Sequence, residues 1–514
     1  MISHVHSITV NGLESTVVDI EVDINNGLPA FTIVGLPDQG VQESKERLRS
    51  AMKSSGAKLP LTRITVNLAP ADIKKSGPSF DLGVAVGILL NDRWINNDDL
   101  IKDSIFLGEL SLDGNLRKVS GVLPATIGAK EKSYKRIYVP KENALEASII
   151  PGIDIIAISN LKELISILNK EKEIVVQEKL DFKKYSLSGE KNIQEKNDFK
   201  YIIGQEHGKR ALEIAASGGH NIIMNGPPGS GKTMLAKAFS TILPELTVEE
   251  SIEISKIYSI SGLLTNDQPI IKKRPFRVVH HTSSGVSIIG GGRNAKPGEI
   301  SLAHKGVLFL DEILEFQKGV LEVLRQPLED GNITVTRVNA SYDYPAQFTL
   351  VGAMNPCPCG YLTDPDKECQ CKPNQIKAYS SRLSGPLLDR IDIFIEVPKV
   401  KTNKFKVGDD YDGQETSSQI QKRVSKARTI QINRFSGTNI TSNSEMTTKE
   451  INKYCKLDDE TDKLLKQAVN TMNLSARAYY RILKLARTIA DLDGVSDIET
   501  KHILEALSFR KKED

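Results

Sequence analysis

Asn221-Ile-Ile-Met-Asn-Gly-Pro-Pro-Gly-Ser-Gly-Lys-Thr233 sets an apolar run, a glycine-rich turn and a Lys-Thr pair in succession, and the helical pattern MLAKAFSTIL comes directly after. Gly226, Pro227, Pro228, Gly229, Ser230, Gly231, Lys232 and Thr233 satisfy G-x-x-x-x-G-K-[ST], with strand, loop and helix in the order that a phosphate-binding loop requires. Its glycines let backbone N–H groups curl around phosphate oxygens. Lys232 can reach the outer phosphates of a nucleotide such as ATP, and Thr233 can offer its hydroxyl to Mg²⁺.

Outward from this loop, residues 199–400 alternate strand-like runs (NIIMNG, GVLFLDE, FTLVGAMN, IDIFIEV) with helical segments. That alternation predicts a parallel sheet covered on both faces. Val307-Leu-Phe-Leu310 ends in Asp311 and Glu312. Alone, an acidic pair after a strand is more often a helix cap. With the phosphate loop it reads as a Walker B pattern, with Asp311 on Mg²⁺ and Glu312 polarising the attacking water.

Residues 1–170 mix β-branched runs with helical stretches, an α+β pattern. Residues 171–198 are charge-rich with weak periodicity, as a linker is, and 401–417 form a second polar linker. Residues 418–514 carry capped helical patterns and should make a helical lid. The 68 basic and 65 acidic residues nearly cancel, to +3, so any nucleic-acid surface must be a local patch. No apolar run reaches the roughly 18 residues of a membrane helix, and the start lacks a signal pattern, so a cytoplasmic location away from membranes is expected.

Four of the five cysteines, Cys357, Cys359, Cys369 and Cys371, crowd into C-x-C-x9-C-x-C. Four soft ligands on one short loop suit structural Zn²⁺, although the one-residue spacings leave a redox or disulfide role open. Between the phosphate loop and Walker B lie Lys272, Lys273, Arg274, Arg277, His280, His281, Arg293 and Lys296 among glycines and small residues. This insertion, together with a hairpin-like stretch over 332–348 that presents Arg337, is either a solvated loop or a grip for a phosphate backbone.

The segments IIGQEHGKRALEIAASGGHNI, RNAKPGEISLAHKGVLFLDE, AMNPCPCG and SGPLLDRIDI resemble the magnesium-chelatase-like AAA+ ATPases, specifically the YifB/ComM family. The resemblance spans nearly the whole chain and implies an AAA+ core with a helical lid. It gives Asn355 the sensor 1 role beside the γ-phosphate. Arg390 becomes the arginine finger supplied to a neighbouring subunit, or else an intrachain partner of Asp389 or Asp392. Arg477 takes the sensor 2 position, with Arg481 one turn on as alternate. Ile202, Ile203 and Gly204 fall where the family packs adenine, although plain core would look the same.

The N-terminal domain resembles the Lon protease domain, a ribosomal-S5-like α+β unit, with Gly77-Pro78-Ser79 matching the strand-loop of Lon's nucleophile. Ser120-Gly-Val-Leu-Pro-Ala125 puts Ala125 where the dyad lysine belongs, so the protease site is degenerate. The resemblance implies a homo-oligomer, by analogy a hexamer, acting on single-stranded and branched DNA as a branch-migration helicase in natural transformation. The alternatives are a chelatase-type chaperone and an ATP-dependent protease.

Overall fold

Gly12 turns the chain back on itself at a positive φ of 63°, which suits the first central position of a tight hairpin turn. The strands on either side, Ser3–Asn11 and Glu14–Asn25, pair antiparallel from Asn11 opposite Glu14 to Ser3 opposite Val22. The computed structural model describes residues 2–96, 98–182, 185, 196–292, 295–337, 340–400, 414–472 and 474–510. Much of the two expected linkers, residues 186–195 and 401–413, therefore lies outside the described residues.

Two compact units emerge, one made of residues 1–189 with 248–272 and the other of 190–247 with 273–514. In the first, the hairpin sits inside a seven-stranded mixed sheet. Arg63–Ala69 and then Ala30–Val34 extend it on one side, while Ser104–Phe106, Arg136–Pro140 and Asp154–Ile158 add parallel strands on the other. The helix Asp81–Asn91 (DLGVAVGILLN) is apolar on every side and buried from Asp81 to Leu89. Gly83 and Gly87, one turn apart, let it press against the sheet: a Cβ there would lie 2.6 Å from Ile20 and 2.7 Å from Val22.

Residues 248–272 leave the ATPase-like sequence and complete this first unit. Their helix, Val248–Ile260, buries Ile254, Ile257 and Tyr258, and each such side chain contributes roughly 1.5–3 kcal/mol. It meets the start of the helix Val122–Glu131. Gly121 N–H donates to the Ser259 carbonyl at 3.0 Å, and Leu123 N–H donates to Ser259 Oγ at 3.3 Å. Ser259 Oγ in turn donates to the buried carboxylate of Glu146 at 2.5 Å. The segment expected to align with Lon's lysine is thus covered by an inserted helix, and Ala125 is buried core.

The second unit holds an all-parallel five-stranded sheet in the order Phe276–Val279, Val307–Leu310, Thr349–Met354, Ile222–Asn225, Ile393–Glu396. The strand that opens the phosphate loop lies between two neighbours, with Ile222 opposite both Val351 and Ile393. Helices Ser417–Arg434, Thr448–Tyr454, Asp459–Thr471, Ala476–Asp493 and Thr500–Ser508 come after it in the chain. They share one core with the helix Glu206–Gly218 and the sheet. Among the described residues no helix is long and apolar enough to cross a membrane.

Candidate nucleotide site

In a parallel sheet every strand points the same way, so the segments that leave its carboxyl ends meet there. Gly226, Asp311 and Asn355 each succeed such an end directly or by one residue. Gly231 caps the helix Lys232–Phe239 in the left-handed region at φ 93°, and Gly229 has φ 75°. A Cβ on either would meet nothing within 4 Å, so the loop is an open cradle facing a helix N-terminus. A Cβ on Gly226, by contrast, would strike the Val397 carbonyl at 2.2 Å.

Lys232 Nζ donates to the carbonyls of Gly226 (2.6 Å) and Pro227 (3.0 Å) and to Asn355 Oδ1 (3.2 Å). Burial lowers its pKa, and Asp311 and Glu312 oppose that shift. Thr233 Oγ1 donates to Asp311 Oδ2 at 3.1 Å. A hydroxyl and a carboxylate in contact beside the cradle fit a Mg²⁺ ion carried with a nucleotide. Glu312 sits in the left-handed region (φ 51°, ψ 49°), unusual for a residue with a side chain. Its carboxylate lies 3.4 Å from His281 Nδ1.

Gln205 belongs to no sequence motif yet joins the site. Its Nε2 donates to the carbonyls of Pro398 (2.6 Å) and Ser230 (3.3 Å), tying the segment of Ile203 and Gly204 to the loop. Ile202 is buried in the core, Ile203 is half-buried, and a Cβ on Gly204 would meet open space.

Arg390 lies at the opposite end of the sheet. It precedes the strand Ile393–Glu396, and Asn221, which precedes the phosphate-loop strand, donates to its carbonyl at 3.0 Å. Its guanidinium pairs with Glu329 and donates to the Pro386 carbonyl at 2.6 Å, rather than to Asp389 or Asp392. Burial lowers its pKa, helped by the like charges of Arg477, Arg325 and Arg481. Arg481 pairs with Asp392 at 2.5 Å, so Arg477, one turn earlier on the same helix, is exposed on this amino-end side.

His220, fully buried, bridges core and lid between Asp392 (3.3 Å) and Thr488 (2.8 Å). Burial alone would raise the Asp392 carboxyl; Arg481 and His220 hold it well below the usual range.

The four clustered cysteines bring their sulfurs within 4.8 Å of one another, with separations of 3.4 Å (Cys357 to Cys359) and 3.6 Å (each of these to Cys369). Disulfides would need about 2.05 Å. A tetrahedron of thiolates around Zn²⁺ at about 2.3 Å has edges near 3.8 Å, so the donor set fits that metal. The backbone N–H of Tyr361, foremost, pulls Cys359 down to about 6. The cysteine loop also leans on the phosphate loop, since a Cβ on Gly360 would lie 2.7 Å from Pro228.

Several expected DNA contacts have partners inside the chain. Arg274 donates to the carbonyls of Pro244, Lys305 and Glu245, and Arg277 makes a two-pronged pair with Glu299 at 2.6 and 2.8 Å. Lys272 stands 3.3 Å over the Tyr185 ring. Lys273 and Lys296 are exposed. Arg293 lies outside the described residues, and Arg337 is described only through its backbone, opposite Ala340. Two hairpins, Gly290–Gly291 with Lys296–Pro297 and Asn332–Arg337 with Ala340–Pro345, are joined by Tyr344 Oη donating to the Ala295 carbonyl at 2.9 Å.

Family comparison agrees with this geometry. Residues 198–405 match the family "Magnesium chelatase, subunit ChlI", 20–143 match "Subunit ChlI of Mg-chelatase" and 414–510 match the ChlI C-terminal family. The competence protein ComM of Haemophilus influenzae is 44% identical over 509 residues, covering 98% of this chain and 97% of that protein. YifB of Escherichia coli is 39% identical over 516 residues, covering 99% and 97%. The magnesium-chelatase 38 kDa subunit of Rhodobacter capsulatus is 29% identical over 175 residues, covering 31% of this chain and 50% of that subunit. With its nucleotide cradle at the carboxyl ends of a five-stranded parallel sheet and its likeness to these relatives running end to end, the chain belongs to the YifB/ComM family of magnesium-chelatase-like AAA+ proteins.

Proposed function

We propose that the chain is a Mg²⁺- and ATP-dependent DNA motor that works as a ring, by family analogy a hexamer, and drives branch migration while transforming single strands are integrated. The observation that carries this reading is the split of the site between the two ends of one sheet. Lys232, Thr233, Asp311 and Asn355 gather at the carboxyl end, whereas Arg390 and Arg477 belong to the amino end. A strand of four residues separates those ends by about 13 Å, too far for Arg390 to serve its own phosphates.

Each nucleotide therefore takes its transition-state arginine from the next subunit. Arg477, which the family resemblance assigns to the γ-phosphate, carries its charge near Arg390, and this supports its serving the same neighbouring phosphates. Mg²⁺, when bound, neutralises charge on the phosphates. Lys232 holds the outer phosphates, Glu312 orients the attacking water, and Asn355 keeps Lys232 and the water in line. The joined hairpins bearing Lys296 and Arg337 grip the DNA backbone. The cysteine loop holds structural Zn²⁺, and the first unit is a Lon-like domain reused for binding. The likeness to a competence protein supports DNA as the substrate, and the same reading puts the motor in the cytoplasm.

Mixing the protein with a labelled three-strand junction tests this. ATP-dependent strand movement is expected from the native chain and none from Lys232→Ala; no movement by the native chain refutes the motor. Zinc content should vanish when all four clustered cysteines become serine, and unchanged zinc refutes the metal assignment. A chelatase-type chaperone is less well supported, because the Rhodobacter chelatase subunit aligns with only 31% of this chain at 29% identity, whereas the competence protein aligns with 98% at 44%. A protease would need a base that Ala125 does not supply.

A further inference from the structure

Side chains alternate along paired strands, so His4, His6 and Ile8 of the strand Ser3–Asn11 share one face of the first unit's sheet with Glu21, Asp19 and Val17 directly opposite them. Ile8 and Val17 belong to the core that receives the helix Val122–Glu131. Toward the open end of the hairpin, away from Gly12, the apolar pair gives way to His6 opposite Asp19 and His4 opposite Glu21. Two imidazoles and two carboxylates thus meet on one patch of sheet.

His4 Nδ1 lies 3.2 Å from Asp19 Oδ2, and one ligand atom from each of His4, Asp19 and Glu21 falls within 4.8 Å of the others. Asn67, opposite Glu21 on the next strand, donates from Nδ2 to Glu21 Oε2 at 2.8 Å and so aims that carboxylate. The ring of His6 is steadied by Tyr134, with centroids 5.4 Å apart. Asp19 Oδ1 and His6 Nδ1 are both buried and have no hydrogen-bond partner among the described residues. Such orphans are costly, and two carboxylates at this range repel each other. One cation would answer both. Zn²⁺ bonds to nitrogen and oxygen of about 2.0–2.1 Å make a tetrahedron with edges of about 3.4 Å, close to the His4–Asp19 separation.

We propose that His4, His6, Asp19 and Glu21 bind a divalent first-row metal ion, with Zn²⁺ as the type, reversibly and at micromolar concentration. Imidazole mixed with carboxylate suits Zn²⁺ better than Mg²⁺, which prefers oxygen alone. The side chains of His4 and Asp19 are 54% and 34% exposed, so the ion exchanges with solution. Metal retained through gel filtration therefore belongs to the cysteine loop, and this site fills only when metal is added. Gly12 closes one end of the hairpin and the ion clips the other. The site is confined to the first unit, so its failure would leave the motor reading standing.

The experiment titrates the untagged, gel-filtered full chain with Zn²⁺ against a chromophoric chelator, in the native protein and in His4→Ala, His6→Ala and Asp19→Asn. The native chain should take up one equivalent beyond what the cysteine loop holds, and each substitution should weaken that uptake at least about 10-fold. Asp19→Asn keeps the shape of its side chain and decides the matter should a histidine variant not fold. Co²⁺ separates the two sites, because imidazole and carboxylate ligands give only weak visible bands, whereas thiolates add a strong charge-transfer band in the near ultraviolet. The uptake that the substitutions weaken should show the weak bands alone. No added uptake overturns the proposal. So does uptake that all three substitutions leave unchanged, which would put the ion on other surface groups, or uptake that shows only the thiolate band, which would put it on the cysteine loop.

Discussion

The two ends of the five-stranded sheet are built from the same strands yet stand in different states of completion. At the carboxyl end Lys232 already touches Asn355 and Thr233 already touches Asp311. At the amino end the guanidinium of Arg390 is occupied by Glu329 and the Pro386 carbonyl. Parallel topology explains the first: motifs far apart in sequence converge because each succeeds a strand of equal direction. It also explains the second, since Arg390 precedes its strand and so lies about 13 Å from the end where the phosphate loop opens. One end is assembled by folding, and on the reading proposed above the other is completed by a neighbour.

Removing the lysine attacks the completed end. Lys232→Ala should reduce ATP turnover at least about 10³-fold, since catalysis here is positioning and charge stabilisation. A steady-state phosphate-release assay reads it, and an active Lys232→Ala would void the cradle assignment. Arg390→Ala attacks the waiting end. It should cost about 10³-fold in turnover while leaving nucleotide binding intact. Mixing it with Lys232→Ala should recover part of the activity, because each variant retains the end that the other lacks. Failure of mixtures to recover would place Arg390 in service of its own chain.

Stability sharpens the contrast further. Asp392→Ala strips the buried partner from His220 and Arg481 and should cost about 3–5 kcal/mol, read by denaturant melting. The Asp392 carboxyl titrates below its unfolded value, so its contribution is full above the ordinary carboxylate range and is lost as pH falls. Glu146 in the other unit slopes the opposite way. Burial pushes its carboxyl up despite the hydrogen bonds from Ser259 and Asn143. Its stabilisation is therefore full below the ordinary carboxylate pKa and is lost as pH rises through the raised value. Glu146→Gln should flatten that limb, the smallest of these effects, and an unchanged pH profile would show Glu146 to be ionised throughout.

The nucleotide cradle was legible because its signals are local: strand, glycines, lysine and helix succeed one another within residues 221–233. Asp311 was legible for the same reason, closing an apolar run, whereas Asn355 came only through the family resemblance. Arg274 and Arg277 looked like a basic patch because composition cannot reveal that their partners are the carbonyls of Pro244 and Lys305 and the carboxylate of Glu299. Glu329, the partner of Arg390, is distant in sequence and bears no motif. His281 read as one more basic residue, since only strand register puts it beside Glu312. The periodicity of 248–260 announces a helix but not which core receives it.

That inserted helix has a consequence for how the chain comes into being. Residues 1–189 leave the ribosome long before 248–272, yet Ile254, Ile257 and Ser259 complete their core. During synthesis the first unit must wait with the face of the helix Val122–Glu131 uncovered while the phosphate loop is made. The two units are thus born interleaved rather than in sequence, and a truncation in the charged stretch before Tyr201 would release a first unit with an open wound of apolar surface.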